Sequence, residues 1–383
     1  MIITNIQEEL QSQQLQDKTI FDPFQVTLTF SALTRQKLHW LTALWRDLDV
    51  YVTVMDRQYR VLFNIYQFQA FYQQYQQHFP DAKELTTLKT IWQAHQLWWR
   101  GQNFALNLTT KPVIYDILNT SPDSFYDGGA LNTVDDVLRR VAVDLENGAT
   151  ILEIGGQTTR PGFKPITPEV EIERVIPEIK AIKAHFPEAL IAVDTYKTPV
   201  MQAALDAGAD IINDVNGFRD DPEKLTLLKT YQPAVLTMHE NRGKAYTEDL
   251  TSNVQRFFKT NLQLLLDAGL PYEAIALDQG VGYSANADNI QDFAFMRTLD
   301  QLNIFQRPTM VAVSNKGFYG KLLGLSKEER LLPTIVSETA MIQQGGRLIR
   351  VHDVKATADM IKLLDAINNS FLIDKENDEI TRA

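Results

Sequence analysis

The sequence predicts an α/β protein: a (β/α)8 barrel preceded by a small α+β domain. Three observations carry this reading. All five tryptophans (Trp40, Trp45, Trp92, Trp98, Trp99) lie before residue 100, and all eighteen glycines lie from Gly101 onward, so an aromatic, glutamine-rich segment precedes a glycine-punctuated one. Downstream of the junction, near 100–111, strand-like apolar runs alternate with amphipathic helical stretches. Polar and charged residues follow nearly every one of those runs, as they do where barrel strands open onto an active face. An open doubly wound sheet is the alternative, but its polar residues would gather at one switch point.

The organisation follows as 1–104 for the N-terminal domain, 105–367 for the barrel and 368–383 for a polar tail. In the first part, residues 24–30 alternate as a strand does. Residues 34–47 read as a helix, with Leu38, Leu41 and Trp45 on one face at i, i+3 and i+7. Residues 50–55 and 59–65 suggest a hairpin around Asp56 and Arg57. Helices over 67–78 and 83–99 follow, an order resembling half of a ferredoxin-like fold. The tryptophans read as packing residues, and no catalytic constellation stands among them.

In the second part the candidate strands are 112–118, 150–154, 190–194, 210–213, 234–238, 274–278, 309–313 and 348–351. Eight strands with their crossovers, spanning 112–367, match the roughly 250 residues of a closed barrel. Gly148, Gly208 and Gly269 stand just after predicted helices, where a left-handed residue is wanted. The run Ser326-Lys327-Glu328-Glu329 reads as a capping box at a helix start.

Composition narrows the function. The chain has 383 residues, 44% hydrophobic and 22% charged, with no run near the roughly 18 apolar residues of a membrane span. Its opening is polar and carries no signal-peptide core. Cysteine is absent, which excludes disulfides and thiolate metal sites and fits a cytoplasmic protein. A net charge of −11 argues against broad nucleic-acid binding.

The strand ends supply the chemistry. Asp194, Asn213 and Asp278 offer acceptors and an amide, the complement of a flat heterocycle with amino and ring N–H donors. Lys316 and Arg350 can bond a ring carbonyl, and Arg350 can stack on a π face. Arg160, Arg350 and His352 suit a phosphate or pyrophosphate. Asn119 is a neutral oxygen ligand of the kind Mg²⁺ uses when it also bridges to substrate phosphates. Singly, each has a plainer reading: a strand-end Asp caps helices, an Arg forms ion pairs, a His packs in a core. Convergence of so many on one face is what the plainer reading does not supply.

These loops, in this order, resemble the dihydropteroate synthase family. The stretch Ile117-Leu118-Asn119-Thr120-Ser121-Pro122-Asp123-Ser124-Phe125, with Asp127-Gly128-Gly129, is similar to its first signature. Gly155-Gly156-Gln157-Thr158-Thr159-Arg160-Pro161-Gly162 is similar to its second. Val193-Asp194-Thr195, Ile212-Asn213-Asp214-Val215, Met238-His239, Asp278 with Gly280 and Gly282, Ser314-x-Lys316 and Arg350-Val351-His352-Asp353 continue the match over roughly 105–367.

The resemblance implies a transferase of folate biosynthesis that joins 6-hydroxymethyl-7,8-dihydropterin pyrophosphate to p-aminobenzoate, with sulfonamides as competitors. By matching position, Asp194, Asn213, Met238, Asp278, Lys316 and Arg350 hold the pterin. Asn119, Arg160, Arg350 and His352 hold the pyrophosphate, Asn119 through Mg²⁺. Phe125, Thr159, Arg160, Pro161, Gly282, Tyr283 and Lys316 line the p-aminobenzoate pocket. Asp194, Lys316, Arg350 and His352 are the catalytic set, in a homodimer.

Departures from the family pattern are Gln157 for a common glutamate, Asn315 and Gly317 where arginine and serine are usual, and a sixth-strand loop without the usual lysine. A catalytically silent paralogue, and the pterin-binding domain of a corrinoid methyltransferase, are the alternatives.

Overall fold

The aromatic N-terminal segment builds a sheet covered by helices. The structure, a computed structural model, describes residues 1–5, 23–119, 133–157, 164–240, 249–283 and 289–373. Strands β1 (Ile2–Asn5), β2 (Gln25–Ser31), β3 (Tyr51–Met55) and β4 (Gln58–Asn64) form an antiparallel sheet in the order β1-β2-β4-β3. Helices α1 (Arg35–Asp47), α2 (Ile65–His78) and α3 (Glu84–Ala94) complete the layer. β3 and β4 meet as the expected hairpin: Asp56 and Arg57 both take positive φ, 47° and 62°, as a two-residue turn between twisted strands requires. Thr34 caps α1, its hydroxyl accepting from the Lys37 N–H, and Asn64 and Gln67 form a reciprocal capping box on α2. β1 falls in the opening read from sequence only as polar; four residues are too few for alternation to register.

Between sheet and helices lies an aromatic core of Phe30, Trp45, Phe63, Phe68, Phe71 and Tyr75, all buried. Phe30 and Trp45 sit 5.1 Å apart and tilted, Phe63 and Phe71 5.0 Å apart, in the range where ring quadrupoles add to area burial. Phe371 and Ile373 from the C-terminal end pack against this core.

The chain divides into two compact units, residues 1–97 with 362–383, and residues 98–361. Trp98 and Trp99 therefore stand in the barrel unit, although composition groups them with the other tryptophans. The helix expected to run to residue 99 ends at Ala94. Its continuation becomes strand β5 (Trp98–Arg100), paired with β6 (Ala105–Asn107). The reason lies in the contacts of Trp99: its ring is fully buried and its Nε1–H donates to the Ala274 carbonyl at 3.0 Å.

The second unit is a closed parallel barrel of β7 (Val113–Asn119), β8 (Ala149–Gly155), β9 (Leu190–Asp194), β10 (Ile211–Asp214), β11 (Ala234–Met238), β12 (Ile275–Asp278), β13 (Thr309–Val311) and β14 (Gly346–Val351). Its crossovers carry α4 (Val134–Glu146), α5 (Pro168–His185), α6 (Thr198–Asp206), α7 (Pro222–Tyr231), α8 (Leu250–Asp267), α9 (Ile290–Arg297), α10 (Gly317–Leu323) and α11 (Leu331–Gln343). Helix α12 (Val354–Asn368) follows β14. The glycines expected after α4, α6 and α8 take φ of 104°, 102° and 94°. The run Ser326–Glu329 closes on itself, the Ser326 N–H donating to the Glu329 carboxylate at 2.9 Å, but it forms a turn rather than the helix start expected of it. Pro333 has no N–H to donate and fits only the first turn, so α11 begins at Leu331.

The β5–β6 hairpin covers the end of the barrel where the strands begin. Gln102 donates to the Tyr231 carbonyl before β11, Asn103 to Asp210 before β10, and Arg307, before β13, donates to the Trp98 carbonyl. Arg347, at the start of β14 and fully buried, donates to the carbonyls of Leu108, Ile342 and Gly346. This floor seals the inner strand starts and leaves the chemistry to the opposite end. Trp99→Ala removes the largest fully buried side chain of the floor and strands the Ala274 carbonyl. Destabilisation of about 3–5 kcal/mol is expected, read from chemical denaturation against wild type.

Candidate active site

Within strand β8, Ala-Thr-Ile-Leu-Glu-Ile-Gly, a single charged side chain stands among buried apolar ones: Glu153, 1% exposed. Such a carboxylate survives burial only with strong partners, and here it has two. One oxygen accepts from the Asn213 amide at 2.7 Å, on β10. The other accepts from Arg350 Nε at 2.6 Å and from the same guanidinium's terminal nitrogen, two strands along the barrel on β14. That nitrogen also reaches Asp194 Oδ2 at 3.2 Å, on β9. Three predicted residues are thus tied together through one that the sequence reading did not single out. Its signal was available as a lone acid inside an otherwise apolar strand.

Asp194 and Asn213 pair in register across β9 and β10, as do Met238 and Asp278 across β11 and β12. Parallel pairing therefore sets these side chains at matching heights near the strand ends. Among the described residues, Asp194 Oδ1 and Asn213 Oδ1 are buried with no hydrogen-bond partner. Orphan acceptors cost free energy when no donor meets them, and two beside each other mark a place for a ligand rich in N–H groups.

Burial and then the charge of Glu153 push the Asp194 carboxyl up to about 7, with Arg350 opposing. Burial likewise raises Asp278, against the Gly280 N–H that it accepts at 2.8 Å and the charges of Lys316 and Arg350. For Arg350, burial alone favours loss of the proton, but Glu153 and Asp194 outweigh it and hold the guanidinium charged.

Lys316, next to α10, donates to the Val281 carbonyl at 3.1 Å and lies 5.3 Å from the centre of the Tyr283 ring. Gly282 has φ +98° and would place a Cβ only 3.0 Å from the lysine nitrogen, so glycine lets the β12 loop pass close to it. His352 Nδ1 is 3.0 Å from the Ser314 hydroxyl, and its carbonyl accepts from Arg140 at 2.9 Å. Met238 is buried at the end of β11.

Asp214, beside Asn213, turns away from this group: it forms a fully buried ion pair with Lys224 at 2.8 Å and accepts from the Asn216 and Phe218 N–H groups. Asn119 ends β7, its backbone paired with Gly155; its side chain, with Phe125, Thr159, Arg160 and Pro161, lies outside the described residues. Gln157 accepts from Lys197 at 2.9 Å and from the Ile166 N–H at 2.8 Å, so the two flanks of the second loop are joined. Asn315 donates to Asp353 at 3.0 Å, which turns it toward α12's start.

The barrel thus carries a polar cluster at its strand ends in which buried acceptors lie beside a guanidinium. The model of the family described as pterin binding enzyme matches residues 115–352. A dihydropteroate synthase of Streptococcus pyogenes is 38% identical over 257 residues, 67% of this chain and 95% of that one. Among solved structures, the Yersinia pestis dihydropteroate synthase with a sulfonamide drug complex aligns at TM-score 0.66 and 30% identity, covering 72% of this chain and 100% of that one. The Xanthomonas albilineans dihydropteroate synthase with 4-aminobenzoic acid aligns at 0.65 and 31%, covering 71% and 98%. The chain belongs to the dihydropteroate synthase family of pterin-binding enzymes, and it is a transferase of that kind.

Asp194→Asn replaces a buried acceptor by a mixed amide. A loss of at least about 2 kcal/mol of transition-state binding, roughly 30-fold in kcat/KM, is expected from steady-state kinetics. The same substitution changes the free protein's stability profile. A carboxyl raised to about 7 stabilises the fold below the ordinary carboxylate range, and that contribution is lost as pH rises through 7. Thermal melts from pH 5 to 8 should fall with pH in wild type and flatten in the variant.

Proposed function

We propose that this chain condenses 6-hydroxymethyl-7,8-dihydropterin pyrophosphate with p-aminobenzoate, releasing pyrophosphate and 7,8-dihydropteroate, in the cytoplasm. The observation that carries the reading is the paired orphan acceptors of Asp194 and Asn213 beside the Arg350 guanidinium. They complement the amino and ring N–H edge of a pterin, with Asp278 extending the acceptor set. Lys316 and Arg350 would donate to the ring carbonyl, and the guanidinium plane would lie against the ring. Met238 would supply an apolar wall.

His352, Arg350 and Arg160 would hold the pyrophosphate. The p-aminobenzoate would sit among Phe125, Thr159, Arg160, Pro161, Gly282, Tyr283 and Lys316, the last two already in cation–π contact.

The donor set suits Mg²⁺ shared with the substrate rather than caged by protein. Asn119 ends β7 at the mouth of the barrel, and a neutral side-chain oxygen is the kind of ligand Mg²⁺ takes when it also binds substrate phosphates. Asn119 would hold the Mg²⁺, which would supply positive charge against the leaving pyrophosphate.

The C–O bond between the pterin methylene and the pyrophosphate breaks first, its electron pair leaving with the pyrophosphate. The nitrogen of p-aminobenzoate then bonds to the methylene and gives up a proton. The carboxylates of Asp194 and Asp278 stabilise the cationic pterin between the two events, while His352 and Arg350 steady the leaving group. Preorganised charges of this kind need no nucleophile from the protein.

A homodimer completes the proposal. Leu322 and Leu323 on α10, and Leu332 and Val336 on α11, are all exposed, apolar surface that a second copy could cover.

Turnover of the two substrates tests the reading directly: activity should need Mg²⁺ and disappear in excess EDTA. Arg350→Ala and His352→Ala should each raise KM for the pterin pyrophosphate by roughly tenfold or more. Full activity in EDTA would contradict the role given to Asn119. In sedimentation, wild type should behave as a dimer and the Leu332→Glu, Val336→Glu double variant as a monomer.

A further inference from the structure

We propose that Glu153 is a positioning residue for the pterin: it dictates which end of the Asn213 amide meets the ligand, and it sets the plane of the Arg350 guanidinium. The proposal rests on the pterin reading above and deepens it.

The geometry permits little else. Glu153 is 1% exposed and both its oxygens are engaged, one by Asn213 Nδ2 at 2.7 Å and the other by Arg350 Nε at 2.6 Å. A carboxylate held by a guanidinium only accepts. Asn213 must therefore turn its NH₂ toward Glu153 and its carbonyl oxygen away. That oxygen is the buried one with no partner among the described residues. An amide on its own is equally a donor and an acceptor, and would meet a donor edge or an acceptor edge alike. Backed by Glu153, it presents an acceptor alone and discriminates in favour of a donor edge.

Nε and a terminal nitrogen of the guanidinium both donate to one Glu153 oxygen, and that terminal nitrogen also reaches Asp194, so two acceptors on different strands fix the plane where one would not.

A glutamine at this position inverts the logic. Its NH₂ cannot face a guanidinium, so its oxygen must go to Arg350 and its NH₂ to Asn213. Asn213 then flips and offers its own NH₂ to the ligand. Two donors face each other where a donor met an acceptor.

Glu153 also has an electrostatic reach. The groups whose charge acts on Asp194 are Glu153 on β8, Arg350 on β14, Glu171 on α5 and, from the outer side of β10, Asp214, with Tyr115 of β7 nearby. Of these, Glu153 is the largest charge acting to keep Asp194 protonated. Removing that charge should let Asp194 ionise at lower pH, and a change in stability alone would not produce this.

The test is calorimetric titration of the full chain with 6-hydroxymethyl-7,8-dihydropterin, free of pyrophosphate, from pH 5 to 8.5. Wild-type affinity should rise with pH through a midpoint near 7, as Asp194 becomes an acceptor. Glu153→Gln should weaken binding about 30-fold and move the midpoint to lower pH. In an Asn213→Ala background the further loss caused by Glu153→Gln should shrink to about threefold, because there is no amide left to flip. Glu153→Asp, which keeps an acceptor-only side chain, should bind within about fivefold of wild type.

Equal losses from Glu153→Gln in both backgrounds, or an unmoved midpoint, would overturn the proposal. So would a folded Glu153→Asp protein that binds no better than Asn213→Ala, a comparison that stands even if the glutamine variant fails to fold. Wild type that does not bind the pterin would remove the pterin reading and this proposal with it. Wild-type binding with an indifferent Glu153→Gln removes the proposal alone.

Discussion

The site depends on one partly buried guanidinium held among carboxylates. Arg350 reaches past β7 to meet Glu153 and Asp194, and through Glu153 it is linked to Asn213. Two acids at this depth repel each other as well as losing their hydration, which is why Asp194 is pushed toward neutrality. The arginine makes their proximity tolerable, and the acids in turn keep the arginine charged. Such an arrangement contributes little to stability compared with an apolar core of equal volume. Its persistence at the strand ends is better understood as preorganisation of acceptors for a ligand that brings its own donors.

The rest of the barrel unit separates that polar cluster from the fold's stability. Apolar, buried residues fill the middle of β9 (Ile191, Ala192 and Val193) and much of β11 (Val235 and Leu236). The far end is closed by the β5–β6 hairpin, with Trp99 and Arg347 satisfying carbonyls that the strand starts would otherwise leave open. A rigid floor and wall let the mouth carry unsatisfied acceptors, because cost at the site is offset elsewhere in the unit. The N-terminal unit has a separate core, in which tilted aromatic rings pack together with branched aliphatics such as Leu41, Val61 and Ile91.

Much of this was legible in the sequence. Strand β9 runs over Leu190–Asp194 and β11 over Ala234–Met238, where continuous apolar runs placed them, because strands buried on both faces admit few other residues. The left-handed glycines after α4, α6 and α8 were likewise fixed by local chemistry. So was the Asp56-Arg57 hairpin, whose turn needs two positive φ values. Asp194, Asn213 and Arg350 could be named because a polar group at the end of an apolar strand has an address within a barrel.

Tertiary structure decided what depended on partners distant in the chain. Glu153 looked like part of a strand until Asn213, 60 residues away, and Arg350, 197 residues away, were brought onto it. Asp214 stood next to Asn213 in sequence and in the same motif, yet strand alternation turned it outward onto Lys224. Trp98 and Trp99 shared the composition of the first unit but belong to the second, since a carbonyl 175 residues downstream claims the Trp99 indole. Periodicity and capping are local and can be read along the chain. The pairing of a buried charge, and the direction in which an amide must point, exist only once the barrel has closed.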